Sequence, residues 1–243
     1  MQEPASVAFS LLNLWAHAQG ALKVRKRIPK THPMRSYYLI WSLASINAWI
    51  WSAVFHTRDL PFTEKMDYFS AALAILYALY YTAIRLFHLH PYQRQSRLTL
   101  HKTSNTTSLT YKSWSLLCIV AYVAHVSYLS LLPRFDYSYN MAFNLIVGLT
   151  HNALWLLYSL PASVIRRFPS RPKSYRPSHV GRAVIFVALT TAATALELFD
   201  FPPWGRIIDA HALWHLATAP IALFWYDFLV DDALDSSWRE QRA

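Results

Sequence analysis

Residues 114–133 read WSLLCIVAYVAHVSYLSLLP, an apolar and small-polar run without a single Lys, Arg, Asp or Glu. As a helix, a run of this length reaches about 30 Å, the thickness of the hydrocarbon core of a bilayer. One such run could be the buried helix of a soluble protein, but the pattern recurs on both sides of it. Blocks at about 4–22, 35–56, 66–88, 140–161, 182–200 and 208–230 share it, which with 114–133 makes seven spans. They are too long for barrel strands and lack strict alternation, and a spanning segment must satisfy its own backbone hydrogen bonds in lipid. The fold class expected is therefore all-α, a polytopic membrane protein whose seven transmembrane helices form one domain over residues 1–243.

The composition agrees, because 54% hydrophobic residues arrive in blocks rather than spread evenly. A formal net charge of +10 would suit a nucleic-acid partner only if the basic residues formed a patch, and they do not. They gather in alternate loops: Lys23, Arg25, Lys26, Arg27, Lys30 and Arg35, then Arg94, Arg97, Lys102 and Lys112, then Arg166, Arg167, Arg171, Lys173 and Arg176. Lys and Arg are retained in the cytoplasm, so these loops are expected there, with the N-terminus lumenal and the C-terminus cytoplasmic. The intervening loops are nearly balanced, with Arg58 and Lys65 against Asp59 and Glu64, Arg134 against Asp136, and Arg206 against Asp200 and Asp209. The tail carries Asp231, Asp232, Asp235 and Glu240, which weigh little in this rule. Span one has its positive charges after the apolar run, the reverse of a signal peptide. The sequon Asn105-Thr106-Thr107 falls in a cytoplasmic loop and is expected to carry no glycan. A lone Cys118 excludes a disulfide framework and a Cys-rich metal site. Tyr37, Tyr38, Trp41, Trp225 and Tyr226, near span ends, read as interfacial anchors.

Polar residues inside spans are costly, so those present are the candidates for function. Span two ends with Ser52 and His56 four residues apart on one helical face, and span seven opens with His211 and His215 at the same spacing. Two imidazoles at i and i+4 can give two nitrogens to one metal, although the pair alone is weak evidence. Topology strengthens it, because span two ends and span seven begins on the lumenal side, where span three also starts and brings Asp67 within reach. Three imidazoles and a water would make an open tetrahedral Zn²⁺ site of the hydrolytic kind. Asp67 is then the candidate to deprotonate the water, and Ser52 the candidate to hydrogen-bond the water or the developing oxyanion. Read separately, Asp67 also fits a helix-start acid and Ser52 a satisfied intramembrane hydroxyl. His17, His125 and His151 stand singly and read as packing histidines, with His88, His90, His101 and His179 near or in cytoplasmic loops. Glu197 and Asp200 end span six on the lumenal side, where either could orient a ligating histidine. The sequence contains no Gly-x-Ser-x-Gly elbow, His-Glu-x-x-His motif or phosphate-binding glycine loop.

Ser52-x-x-x-His56, Asp67 and His211-x-x-x-His215 resemble the signature of the superfamily of alkaline ceramidases, progestin and adiponectin receptors and glycosylphosphatidylinositol (GPI) anchor remodelling proteins. Gln2-Glu3-Pro4-Ala5-Ser6, Leu11 to Leu14, Trp51 to Asp59, Thr63 to Tyr68, Leu198 to Pro203 and Asp209 to His215 resemble the post-GPI-attachment-to-proteins factor 3 family within it. The resemblance implies a GPI-specific phospholipase A2 of the endoplasmic reticulum or Golgi membrane. Such an enzyme removes the sn-2 acyl chain from GPI-anchored proteins during lipid remodelling. It implies Zn²⁺ on His56, His211 and His215, with Ser52 and Asp67 as the accessory polar pair. It also implies a signal peptide and a Cys-rich lumenal segment, for which these residues have no counterpart, so it bears on the membrane core. Two other readings stay open: a ceramidase-type amide hydrolase, and a lipid receptor or binding protein whose zinc is structural.

Overall fold

The computed structural model describes residues 3–90, 108–199, 201–205 and 207–240. The sequon at Asn105, the basic residues Arg94, Arg97 and Lys102, and His101, Asp200 and Arg206 lie outside the described residues. The elements are α1 (Pro4–Arg27), α2 (Arg35–Thr57), α3 (Pro61–Leu86), α4 (Leu109–Leu131), α5 (Tyr137–Ser159), α6 (Val180–Leu198), α7 (Ala210–Ala233) and the short α8 (Ser237–Glu240). Helices α2 to α7 are each long and apolar enough to cross a membrane. Helix α1 is the exception, because Ser6, Ser10, Asn13 and His17 interrupt its apolar character. All four are buried, on the face that α1 turns to α2 and α7.

Local chemistry sets the helix starts. Helix α3 begins at Pro61, earlier than the apolar pattern suggests, because proline suits the first turn and Thr63 Oγ1 accepts from the Leu60 amide at 3.0 Å. Asp136 caps α5 by accepting from the Tyr139 amide at 2.9 Å, and Asp209 caps α7 by accepting from the Ala212 amide at 2.7 Å.

The packing order closes on itself. Helix α1 lies between α2 and α7, α2 packs on α3, α3 on α5, α5 on α6, and α6 on α7, while α4 rests outside this ring against α3. Leu116, Leu117, Ile119, Val120 and Val123 of α4 are exposed, as lipid-facing residues should be. Gly20 lets α1 approach α7, since a Cβ there would fall 2.1 Å from the Tyr226 ring.

The interior of the ring is filled mainly in the half remote from His56. There Tyr38, Tyr81, Trp155, Phe186, Trp225, Tyr226 and Phe228 are buried in one cluster. Trp225 donates from Nε1 to the Tyr81 hydroxyl at 2.8 Å and stacks on Phe186 at 3.9 Å between centroids. The reading of Tyr38, Trp225 and Tyr226 as interfacial anchors is therefore corrected. Their rings are buried in the bundle, and the polar atoms of Trp225 and Tyr226 find inward partners, Tyr226 donating to Ser42 Oγ at 2.9 Å.

Beyond this core sits an ion pair with no solvent exposure. Arg85 of α3 donates from Nε and Nη2 to the two carboxylate oxygens of Asp232 of α7, at 2.6 and 2.7 Å. Tyr158 donates to Asp232 Oδ1 at 3.1 Å, and Arg85 Nη1 donates to the Arg167 carbonyl at 2.9 Å. Arg167, counted from sequence among the loop charges, is itself buried and donates to the carbonyls of Tyr158 and Tyr175, each at 2.9 Å. Asp232 is thus a helical core residue and no part of a solvated acidic tail. The α5–α6 connection folds under the bundle around it, and Trp238 of α8 completes the enclosure by donating to the Asp232 carbonyl at 2.8 Å.

Candidate metal centre

His56 lies in the last turn of α2, and His211 and His215 lie in the first two turns of α7. The ring places these two helix ends together. The Nε2 atoms of His211 and His215 are 2.9 Å apart and those of His211 and His56 3.4 Å apart, and one ligand atom from each residue falls within 4.8 Å of the others. In a tetrahedral Zn²⁺ site with Zn–N distances near 2.0–2.1 Å, ligand nitrogens are separated by about 3.3 Å. The two spacings that involve His211 fit within a few tenths of an ångström.

The opposite nitrogen of every ring has a partner. His56 Nδ1 meets Glu3 Oε2 at 2.6 Å, His211 Nδ1 meets Glu197 Oε2 at 2.8 Å, and His215 Nδ1 meets Ser10 Oγ at 2.9 Å. A carboxylate only accepts, so His56 and His211 carry their proton on Nδ1. The third case follows by counting. Ser10 Oγ lies 2.7 Å from the Ser6 carbonyl, which can only accept, so the one hydroxyl proton of Ser10 goes there. Its two lone pairs then receive the His215 Nδ1–H and the Ser52 hydroxyl, the latter at 3.0 Å. All three neutral imidazoles therefore turn an unprotonated Nε2 toward the same point. Lone pairs at such distances repel unless a cation or an added proton lies among them, and this donor set suits a divalent ion that takes imidazole nitrogen.

The supports come from separate parts of the chain. Glu3 sits at the N-terminus of α1, where its amide also donates to the His56 carbonyl at 3.1 Å. The hydrogen bond from His56 holds the Glu3 carboxyl below its usual range, outweighing the opposite effect of burial. Asn13, one turn below Ser10, donates from Nδ2 to the His215 carbonyl at 2.6 Å. Trp49 packs edge-on to His215 with centroids 5.1 Å apart, and Trp214 stacks on His211 at 5.7 Å.

Of the residues expected from sequence, the three histidines come together. Asp67, in the second turn of α3, is half-buried near the start of that helix, at the same end of the bundle as the three histidines. Among the described residues it makes no hydrogen bond or ion pair. Ser52 is buried behind His215, with its hydroxyl turned to Ser10. Glu197 holds His211, whereas Asp200 lies outside the described residues. Glu3, Ser10 and Asn13 had no assigned role in the sequence reading. Their signal was available in α1, where Ser6, Ser10, Asn13 and His17 recur at spacings of three and four, a polar stripe on one face of a membrane helix.

A closed ring of membrane helices with three imidazoles converging at one end defines the class: a polytopic membrane protein with a candidate metal centre inside its helical bundle. The chain belongs to the Per1-like family, whose model matches residues 1–233. It is 40% identical over 232 residues to "Protein PER1 homolog" of Schizosaccharomyces pombe, covering 95% of this chain and 62% of that protein. It is 38% identical over 234 residues to "GPI-specific phospholipase A2-like PGAP3" of Homo sapiens, covering 96% of this chain and 64% of that protein. The Bos taurus protein of the same name gives the same figures, 38%, 96% and 64%. The chain thus spans a little under two thirds of the length of these relatives. No solved structure matches it.

Proposed function

We propose that the chain is the membrane core of a zinc-dependent lipid acyl-ester hydrolase, a GPI-specific phospholipase A2 that removes the sn-2 acyl chain from GPI-anchored proteins. The observation that carries the metal is the convergence of three Nε2 lone pairs, each fixed by a donor-committed Nδ1. The substrate class rests on the relatives named as GPI-specific phospholipase A2-like proteins. The loop charges favour a lumenal orientation for the histidine end, in a membrane of the endoplasmic reticulum or Golgi, where the lipid of a GPI-anchored protein resides.

The chemistry that Zn²⁺ supplies when bound to His56, His211 and His215 is Lewis acidity toward water and toward an ester carbonyl. Asp67 accepts a proton from the attacking water and returns it to the sn-2 glycerol oxygen as the acyl C–O bond breaks, leaving a free fatty acid and a lyso-lipid. Glu3, Glu197 and Ser10 keep each imidazole in one tautomer and one orientation through the cycle. Ser52 works with its proton given to Ser10, and meets a developing oxyanion only by turning away from that partner. Trp49 and Trp214 make an apolar wall beside the histidines, which strengthens charge interactions there.

The test is fatty-acid release from a GPI lipid labelled at sn-2, using purified protein in mixed micelles. Release that chelation stops and added Zn²⁺ restores is expected. Stoichiometric zinc without release would point to a structural metal in a receptor, and ceramide cleavage with GPI untouched would point to amide hydrolysis. A second expectation concerns α1: Ser10→Ala removes the acceptor for His215 Nδ1–H and should weaken zinc affinity by about 10- to 100-fold. Competition with a chelating dye measures this, and an affinity equal to wild type would show that His215 keeps its tautomer without help.

A further inference from the structure

At the same end of the bundle as the histidines, the turn between α4 and α5 borders an open cleft of about 590 Å³. Tyr128, Arg134, Phe135, Asp136 and Tyr137 line it. Its two charged side chains, Arg134 and Asp136, are equal in number but do not pair with each other. Asp136 is engaged through both oxygens, by the Tyr139 amide at 2.9 Å and the Tyr128 hydroxyl at 3.4 Å. Arg134 is exposed and makes no ion pair or hydrogen bond among the described residues. The cleft therefore presents a free guanidinium beside aromatic faces.

It is also joined to the metal centre. The Phe135 ring stacks on Tyr68 of α3 with centroids 4.9 Å apart and 27° between planes, and Tyr137 packs against Tyr68 at 5.8 Å. Tyr68 follows Asp67 directly in the chain. A lipid whose ester lies among the histidines would thus find, one aromatic step away and at the membrane surface, a cation and flat apolar rings.

We propose that this cleft is the head-group subsite, binding a phosphorylated, hydroxyl-rich ring such as phosphoinositol, with Arg134 on the phosphate and Phe135 against the C–H face of the ring. The assignment rests on the lipid-hydrolase reading above and adds its recognition element. Guanidinium pairs with phosphate through two parallel N–H donors, a geometry that Lys cannot reproduce. Aromatic rings give the sugar-like ring an apolar face to lie on. The occupant is the head group of a membrane lipid, because the cleft opens where α4 and α5 leave the hydrocarbon layer.

The experiment separates binding from hydrolysis. Zinc-loaded wild-type protein is titrated with glycerophosphoinositol and, separately, with inorganic phosphate, alongside Arg134→Gln, Arg134→Lys and Phe135→Leu. The expected result is glycerophosphoinositol binding that Arg134→Gln weakens roughly 10-fold or more, with only partial rescue by Arg134→Lys. Phe135→Leu should weaken glycerophosphoinositol while leaving phosphate unaffected. In parallel, Arg134→Gln should raise KM for the GPI lipid by a similar factor with kcat unchanged. Phosphate binding as tightly as glycerophosphoinositol would overturn the head-group assignment, and so would wild-type affinity in Arg134→Gln. The binding arm decides this question even if no hydrolysis is found, and hydrolysis with a normal KM in Arg134→Gln would sink the subsite alone.

Discussion

His211→Ala is expected to weaken zinc binding by roughly 10²- to 10⁴-fold, and Asp67→Asn to keep the metal while slowing hydrolysis about 10²- to 10⁴-fold. The first figure follows from removing one of three imidazoles. A third of a binding free energy of about 10–16 kcal/mol is ~3–5 kcal/mol. His211 is the candidate ligand to replace because its side chain is 37% exposed, so the change leaves little buried void. His215, by contrast, is buried against Ser10 and Trp49, and its loss would combine metal release with packing damage. Metal content per protein, set beside fatty-acid release, separates the two variants. A His211→Ala protein with one tightly held zinc would refute the ligand set. An Asp67→Asn protein of full activity would remove Asp67 from the proton transfer.

Asp232→Ala should be among the most destabilising single changes in the chain, costing about 3–5 kcal/mol. Its partner Arg85 has no solvent exposure and would be left with a buried, uncompensated charge. By the scaling for soluble proteins of this size, that loss corresponds to a fall of roughly 6–20 °C in the unfolding temperature. The double variant Arg85→Met with Asp232→Leu should recover much of the loss, because replacing both charges by apolar side chains avoids the isolated ion. Thermal unfolding of the three proteins in one detergent gives the comparison. Equal stability of Asp232→Ala and wild type, or a double variant worse than either single change, would show that the pair is not what holds the α5–α6 connection.

Helices α2 to α7 were legible because each carries its own length and polarity, a property of a local window of sequence. The histidines were legible because His211 and His215 share a face by simple periodicity and alternate loops put His56 at the same end. What stayed hidden was whatever depends on which helix neighbours which. Ser10 looks like any small polar residue in an apolar block until α1 is known to lie between α2 and α7. Arg85 and Asp232 are far apart in sequence, and each alone reads as a residue at the end of a span. The aromatic residues misled for the same reason, since Trp225 near a helix end is equally consistent with facing lipid headgroups or the core, and only the ring closure decides.

That closure also governs how the protein is made. His56 emerges with the second span, but His211 and His215 arrive only with the seventh, and Glu197, which steadies His211, with the sixth. Until α7 is in place, one imidazole of the three is present, and the three-nitrogen cluster cannot form. The candidate metal centre is thus assembled from both ends of the helical ring and exists only once α7 packs against α1.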